Sequence, residues 1–219
     1  MITVSQWLFL DKAGRLVNSR KEDIFLQQGD MDGACSIYSM MMSLIACTAI
    51  KRDVATDIWN HIDGRTREAR LINAFFKGKD GMFRDGMFLN DLADRLDKEF
   101  GTKVYVNYIS EDDNDETTHS EFISKLCEDL KDGFACLIGF DYQKGGGHAM
   151  LAVGYEEDED GEIFRLFCLD PRRPIQPCSY WNAVLDINAT RNEYSDRYLP
   201  DGSKVYLSDY IAIAKKEKE

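Results

Sequence analysis

Of the six cysteines in the chain, Cys35 stands where a reactive thiol would be expected. It follows Asp32, Gly33 and Ala34, at the point where an acidic loop leads into the apolar run CSIYSMMMSLIA. Apolar residues recur through this run at helical spacing, which predicts a buried helix over about 35–50 with Asp32 as its N-cap. A helix N-terminus carries a partial positive charge that favours thiolate over thiol. Cys35 is therefore the candidate nucleophile.

A nucleophilic thiolate needs a basic partner, and the chain contains three histidines. His61 lies within a predicted helix and His119 at the polar start of another, so both are interpreted as structural or surface residues. His148 follows three glycines and opens the strand-like segment HAMLAVGY, so its ring can project from a sheet edge. Because histidine titrates near neutral pH, His148 is the candidate general base and acid.

A predicted hairpin supplies an orienting group for that histidine. HAMLAVGY and EIFRLFCLD are joined by the acidic turn EEDEDG. If the turn is centred near Glu159, antiparallel pairing places His148 opposite Asp170, and opposite side chains reach hydrogen-bond distance. Asp170 can then hold the tautomer of the imidazole and stabilise its charged form. Asn182 is the alternative acceptor.

Acyl transfer also requires donors for the oxyanion of the tetrahedral intermediate. Gln28 lies seven residues before Cys35. Its side-chain amide and the backbone N–H of Cys35 would together form such an oxyanion hole. The adjacent Gln27 is the rival for this role, since the sequence leaves the path of the loop open.

The elements that position these residues change character along the chain. Short strands are predicted at SQWLFL, RLV and DIFLQ, and helices at about 35–50, 53–62, 65–76 and 85–100. After Gly101 come strands at KVYVNYI, FACLIGFDY, HAMLAVGY, EIFRLFCLD and KVYLSDYIAIA, with one amphipathic helix at SEFISKLCEDL. No proline-rich linker separates the halves. We therefore predict one α+β domain over 1–219, mostly helical over about 1–100 and mostly antiparallel sheet over about 101–219.

Composition excludes several classes of protein. Hydrophobic residues make up 44% of the chain and charged residues 30%, as in soluble globular proteins. No apolar run approaches the roughly 18 residues of a membrane span, and the N-terminus does not resemble a signal peptide. We therefore expect a cytoplasmic protein that does not associate with membranes, with export by another route left open.

The net charge of the chain and the spacing of its possible metal ligands indicate which partners and cofactors to expect. The net charge is −12 and no long basic patch is present, so nucleic acid is not an expected partner. A peptide or protein is expected as substrate, a basic one being the better electrostatic match. The cysteines form no CxxC pair, so neither a zinc site nor a cofactor is predicted. The acidic stretches 111–116 and 156–162 lack EF-hand spacing and are interpreted as solvated faces.

A resemblance to a known family rests on three of these segments. QGDMDGACSIYS resembles the Gln…Asp-x-x-Cys start of papain-like cysteine peptidases, in particular the bacterial relatives of the double-glycine leader peptidases. HAMLAVGY is similar to the family's histidine strand, and CLDP to its aspartate segment. The resemblance implies a papain-like fold, in which a helical lobe carrying the nucleophile helix packs on an antiparallel β-sheet lobe. It implies a cysteine peptidase or isopeptidase whose catalytic residues are Cys35, His148, Asp170 and Gln28.

Two other functions fit the same residues. An acyltransferase or transglutaminase-like enzyme would form the same acyl-enzyme and transfer it to an amine instead of water. A non-catalytic protein-binding module would keep the fold without the reaction. The presence of all four site residues argues against the binding module.

Overall fold

Helices dominate the first half of the chain and strands the second, within the residues that the computed structural model describes: 1–29, 33–57, 64–76, 86–111, 118–188 and 194–217. The helices are α1 (Cys35–Ala46), α2 (Arg52–Thr56), α3 (Arg67–Phe76), α4 (Leu89–Phe100) and α5 (His119–Lys131). The strands are β1 (Ile2–Val4), β2 (Phe9–Leu10), β3 (Leu16–Val17), β4 (Val104–Ser110), β5 (Ala135–Tyr142), β6 (Gly147–Glu157), β7 (Ile163–Leu169), β8 (Ala183–Asp186), β9 (Asp196–Tyr198) and β10 (Ser203–Lys215). The predicted α+β class with an antiparallel sheet is confirmed.

Most strands belong to one antiparallel sheet. Its order is β1-β6-β5-β10-β9-β8-β7, and β7 also pairs with β6, so six strands close into a ring. β1 pairs with the far end of β6, and β4 with β10. The short pair β2–β3 stands apart. Closure places β6 between β5 and β7, so that the first half of β6 pairs with β5 and its second half with β7.

Strand β6 is buried on both faces, because helices and the interior of the ring cover it from opposite sides. Ala149, Leu151 and Val153 belong to the core that contains α1, whereas Met150 and Ala152 belong to the core that contains α5. A strand buried on both faces reads as a nearly continuous apolar run, and HAMLAVGY does so. This strand carries His148.

Helix α1 lies in the core that faces the outside of the ring. All of its residues are buried except Tyr38, which is half-buried, as expected for a helix that is apolar all round. The Ser39 hydroxyl donates to the carbonyl of Ala149 at 3.1 Å, which ties the helix to β6 next to His148. α1 ends at Ala46, before the predicted residue 50, and Thr48 just beyond has a φ of 58°. In the described part of the chain, no helix has the length and hydrophobicity needed to cross a bilayer.

The predicted strand DIFLQ is wrong. In this segment, only Asp23 forms an isolated bridge, with Val17. The guanidinium of Arg52 donates to the carbonyls of Asp23 and Phe25 at 2.8 and 2.7 Å. Because these acceptors are used by a side chain of α2, they do not pair with a strand. SQWLFL is likewise a strand only at Phe9 and Leu10.

Three short strands, β1, β8 and β9, were missed, and several predicted boundaries differ. β8 and β9 have four and three residues, too few to give an alternating pattern. α3 begins at Arg67 and α4 at Leu89, two and four residues after their predicted starts. Three predictions concern residues outside the described ranges: His61, the end of helix 53–62 and the first residue of helix 85–100.

His119 lies in the core, not on the surface, and Glu111 is buried with it. His119 Nδ1 is 2.8 Å from Glu111 Oε2, and Nε2 is 3.2 Å from Asp196 Oδ2. The predicted solvated face at 111–116 is therefore wrong at Glu111; the rest of that stretch lies outside the described residues. Burial disfavours the charged ring, but the hydrogen bonds and charges of Asp196 and Glu111 outweigh it and raise the pKa of His119.

We expect His119→Gln to lower the free energy of unfolding by about 3–5 kcal/mol at acidic to neutral pH, because it leaves two buried carboxylates without their cation. A raised folded-state pKa stabilises the fold fully below the ordinary value of 6.5. This contribution is lost as the pH rises through the folded-state pKa. Urea unfolding at several pH values should therefore show the difference between wild type and variant shrinking at alkaline pH.

Arg15→Ala is the control, since it removes an exposed ion pair with Asp11. It should change stability little at any pH. A His119→Gln protein as stable as wild type at neutral pH would contradict a charged histidine in this cluster.

Candidate active site

Cys35 is the first residue of α1 and is 8% exposed. The N-cap is Ala34, which has no side-chain oxygen, so the predicted Asp32 cap is wrong; Asp32 itself lies outside the described residues. The N–H groups of the first turn have no acceptor within the helix. Their partial positive charge lies beside the Cys35 thiol and favours its anion.

His148 is the second residue of β6, where it pairs with Phe140 of β5. The two rings meet edge to face with centroids 5.6 Å apart, which restricts the imidazole orientation. Nε2 lies 2.8 Å from Oδ1 of Asp170. Nδ1 is buried and makes no hydrogen bond of ordinary geometry within the described part of the chain. The Cys35 thiol and the imidazole shift each other's pKa, and because Nε2 is occupied by Asp170, Nδ1 is the nitrogen left for the sulfur.

The predicted contact of His148 with Asp170 is present, although the predicted register is wrong. The prediction places Leu151 opposite Phe167, whereas Leu151 pairs with Leu169, a shift of two residues. Irregularities at Ala152/Gly154 and Glu156/Glu157 interrupt the ladder. Since a shift of two at Leu151 and Ala152 keeps the side chains next to His148 on their predicted faces, Asp170 becomes a diagonal neighbour that still reaches the imidazole.

Asp170 follows β7, and its side chain has 0% solvent exposure. Oδ1 accepts from His148 Nε2 and from the backbone N–H of Arg172, both at 2.8 Å. Oδ2 accepts from the Tyr198 hydroxyl, and Nε of Arg173 is 3.8 Å away. Burial alone would raise the pKa of Asp170, but His148 and these donors outweigh it and lower the pKa.

Tyr198 is a site residue that the sequence reasoning missed. It ends β9, whose three residues, DRY, give no periodic signal. Asn182, predicted as an alternative acceptor, instead binds the backbone around Asp170. Its Oδ1 accepts the Asp170 N–H at 2.6 Å, and its Nδ2 donates to the Asp170 and Arg173 carbonyls at 2.9 and 2.7 Å. Asn182 therefore holds the loop that presents the carboxylate.

The Cys35 thiol and the His148 ring shift each other's pKa. Burial raises the pKa of Cys35, yet the hydrogen bond and charge of His148 outweigh burial, so the pKa is lowered. Burial likewise disfavours protonated His148, but its contacts with Asp170 and Cys35 raise its pKa. Both shifts favour the thiolate–imidazolium pair over the neutral pair.

Burial has the opposite outcome at four other cysteines. It raises the pKa of Cys47 to about 11, and it also raises the pKa of Cys127, Cys136 and Cys168. Cys178 differs from these because it is exposed. What separates Cys35 from the buried thiols is therefore its histidine partner.

The two glutamines before Cys35 face different surroundings. Gln28 is 8% exposed, and its backbone N–H donates at 2.8 Å to the carbonyl of Pro171, the residue after Asp170. Gln27 is exposed and lines a separate groove beside Tyr38. Of the two candidates, Gln28 is the one whose backbone is joined to the loop of the triad.

The Cys35–His148 pair opens onto a cleft of about 580 Å³. Phe88 on its rim is 81% exposed, and glycines at 33, 86, 139, 146 and 147 line part of its wall. Charged side chains stand on its walls: Asp141, Arg172 and Asp209. Across the described ranges, no three His, Cys, Asp or Glu side chains are grouped as metal ligands.

Limited iodoacetamide at about pH 6 should alkylate Cys35 before any other cysteine, because alkylation requires the thiolate. Peptide mapping by mass spectrometry measures the order. His148→Ala should abolish the advantage of Cys35, whereas Cys178→Ser removes the exposed competitor and should leave the Cys35 rate unchanged. Faster labelling of Cys178 or Cys47 in the wild-type protein would contradict the assignment.

No model of a known protein family matches the sequence, and no curated protein matches it significantly. What the Cys35–His148–Asp170 site can do therefore follows from its own geometry and chemistry.

Proposed function

We propose that this protein is a cysteine hydrolase that cleaves a peptide or protein amide bond through a thioester intermediate. One observation carries the proposal. A single buried imidazole interacts with both a carboxylate and the thiol at a helix start: Nε2 contacts Asp170 at 2.8 Å, which leaves Nδ1 for Cys35. This arrangement of nucleophile, base and orienting acid performs acyl transfer on several unrelated folds.

In the first half of the reaction, the Cys35 thiolate attacks the carbonyl carbon of the scissile amide. The C=O electron pair moves to oxygen, and a tetrahedral oxyanion forms. As the intermediate collapses, the C–N bond breaks and Nδ1 of His148 gives its proton to the leaving amine. Asp170 stabilises the imidazolium until that transfer, since its charge lies against Nε2.

In the second half, His148 acts as a base. Its neutral Nδ1 takes a proton from water, which attacks the thioester carbon. A second tetrahedral intermediate collapses with loss of the Cys35 sulfur, releasing a carboxylic acid and restoring the thiolate–imidazolium pair. We infer that the Cys35 backbone N–H and the Gln28 side-chain amide bind the oxyanion in both halves.

The papain-like architecture is part of the proposal. Its support is the packing of the buried helix α1, which begins with the nucleophile, against an antiparallel sheet that carries the histidine. The chain order Gln28, Cys35, His148, Asp170 also agrees with the order of that family. A fold hosts many functions, so the site chemistry remains the main argument.

The cleft favours an extended peptide with a basic side chain near the scissile bond. Its glycines leave room for a substrate backbone to approach. Asp141 and Asp209 place two carboxylates on its wall, and the net charge of −12 attracts basic substrates over a longer range. Arg172 on the cleft wall would instead meet a carbonyl or carboxylate of the substrate.

Incubation with peptide mixtures rich in Lys and Arg should yield hydrolysed fragments and a covalent acyl adduct on Cys35, both seen by intact-mass spectrometry. Cys35→Ala should abolish both products. Asp170→Asn should lower kcat less than Cys35→Ala does, because an amide oxygen still accepts from Nε2 but carries no charge. Cys178→Ala is the matched cysteine control and should retain full activity.

The same experiment separates the alternatives. Conjugates that replace hydrolysed product when excess primary amine is added would indicate an acyltransferase. A folded protein that binds the peptides but forms neither adduct nor fragment would overturn the proposal in favour of a binding module.

Gln28→Ala should lower kcat about 100- to 1,000-fold, the typical loss when one oxyanion-hole donor is removed. The alkylation rate of Cys35 should stay nearly unchanged, because alkylation forms no oxyanion. Gln27→Ala is the neighbouring control and should be close to wild type in both assays. A large kcat loss in the Gln27 variant alone would assign the oxyanion-hole donor to Gln27. If neither variant loses activity, backbone N–H groups alone form the oxyanion hole.

A further inference from the structure

Tyr198 contacts both the carboxylate and the imidazole of the triad. Its hydroxyl donates to Oδ2 of Asp170, the oxygen that His148 does not use. Its ring lies edge-on to the His148 ring, with centroids 6.3 Å apart and planes at 72°. The residue therefore touches the orienting pair without being in line between His148 and Cys35.

Arg173 fixes the direction of the hydrogen bond from Tyr198. Its Nε donates to the Tyr198 oxygen at 2.8 Å, and its guanidinium lies over the phenol ring at 5.5 Å from the centroid. A guanidinium has donors and no acceptor, so the phenol oxygen must accept from it. The phenol proton then points at Asp170. A directed chain runs from Arg173 through Tyr198 to Asp170, with His148 on the other carboxylate oxygen.

We propose that Tyr198 is a positioning residue, which fixes the Asp170 carboxylate and keeps it ionised so that His148 holds its proton beside Cys35. The inference rests on the proposed function of the triad. The terminal torsion of an aspartate is soft, so a carboxylate bound through one oxygen can turn. With Oδ1 bound by His148 and Oδ2 bound by Tyr198, the carboxylate stays in the plane that the imidazole needs.

The protonation states agree with this geometry. Burial and the charge of Asp170 raise the pKa of Tyr198, so the phenol remains a donor across the working pH range. Burial would raise the pKa of Asp170, but its contacts with His148 and Tyr198 lower it. Removing the phenol proton donor should therefore allow Asp170 to protonate at a higher pH.

Other charged or titratable groups interact with Asp170 from the surrounding elements: Tyr142 on β5, Cys168 on β7, the backbone of Arg172 on its own loop and Asp201 after β9, while Cys35 on α1 acts through His148. Burial raises the pKa of Tyr142 and Cys168, so both stay neutral in acid. A hydrogen bond from Ser203 lowers the pKa of Asp201. In mildly acidic solution, the charge changes around the site thus centre on Asp170 and the Cys35–His148 pair.

The test is the pH profile of Cys35 alkylation by iodoacetamide, which needs no substrate. Tyr198→Phe should move the acid limb of this profile upward by roughly one pH unit, the size expected for one lost hydrogen bond to a carboxylate. If Tyr198 only stabilised the fold, Tyr198→Phe would reduce the folded fraction but leave the acid limb at its wild-type pH. Once a peptide substrate is in hand, kcat should fall in the variant while KM changes little.

Tyr142→Phe is the matched control. Its ring lies 6.4 Å from that of Tyr198, and no hydrogen bond joins its hydroxyl to Asp170 among the described contacts. Its alkylation profile should coincide with wild type. Arg173→Met, which frees the Tyr198 hydroxyl to turn away, should shift the acid limb in the same direction by a smaller amount. It also serves as the deciding variant if Tyr198→Phe fails to fold by circular dichroism.

An acid limb that stays at the wild-type position in folded Tyr198→Phe overturns the proposal. An unshifted limb in Arg173→Met does the same where the Tyr198 variant does not fold. These results are distinct from a result that would overturn the proposed function. In that case, Cys35 of the wild-type protein would show no enhanced alkylation in acid. Combining the two changes should give less than the sum of their shifts, because both act through one carboxylate.

Discussion

A carboxylate without solvent exposure has to be compensated by the protein around it, and Asp170 has 0% exposure. The compensation comes from separate parts of the chain: an imidazole on β6, a backbone N–H and a guanidinium on the following loop, and a phenol on β9. Asn182 holds the backbone of the same loop. Removing one partner of such a buried charge typically costs about 3–5 kcal/mol, so these elements are bound to one geometry. The orientation of His148, and with it the site, depends on this constraint.

The second requirement is that the nucleophile stay against the histidine. Helix α1 is buried on nearly all sides, and Ser39 bonds to the carbonyl of Ala149, the residue next to His148. A helix packed in this way has little freedom to slide, because interior side chains interlock at crystal-like density. The sheet ring supports the other partner, since β6 pairs with both β5 and β7. Helix and strand thus hold a thiol and an imidazole together without any covalent link.

The electrostatics of the site follow from placing one histidine beside one of several buried thiols. Burial favours the neutral form at Cys35, as it does at Cys127, Cys136 and Cys168. At Cys35 a protonated histidine reverses that preference, and the histidine is in turn sustained by Asp170 and its donors. Reactivity is therefore a property of the chain of contacts from Arg173 to Cys35 and not of the cysteine alone. The same physics acts in the other buried cluster, where two carboxylates flank His119 and raise its pKa.

Local pattern was sufficient for the start of the helix at Cys35, for the long strands of the second half and for the side-chain contact of His148 with Asp170, although not for their register. These features depend on hydrophobic period and on side-chain parity, which the sequence carries residue by residue. Only the structure decided the register of the β6–β7 hairpin, because its turn is centred at Asp160 and not at Glu159, which moves the pairing by two residues. It also decided that Ala34 and not Asp32 caps α1, and that Arg52 donates hydrogen bonds to the carbonyls of the segment predicted as the strand DIFLQ. The hydrogen bond from the Gln28 backbone to the loop after Asp170 is likewise a tertiary contact. Tyr198 was invisible for the same reason: its role arises from a contact with a residue 28 positions away, made by a strand too short to leave a periodic signal.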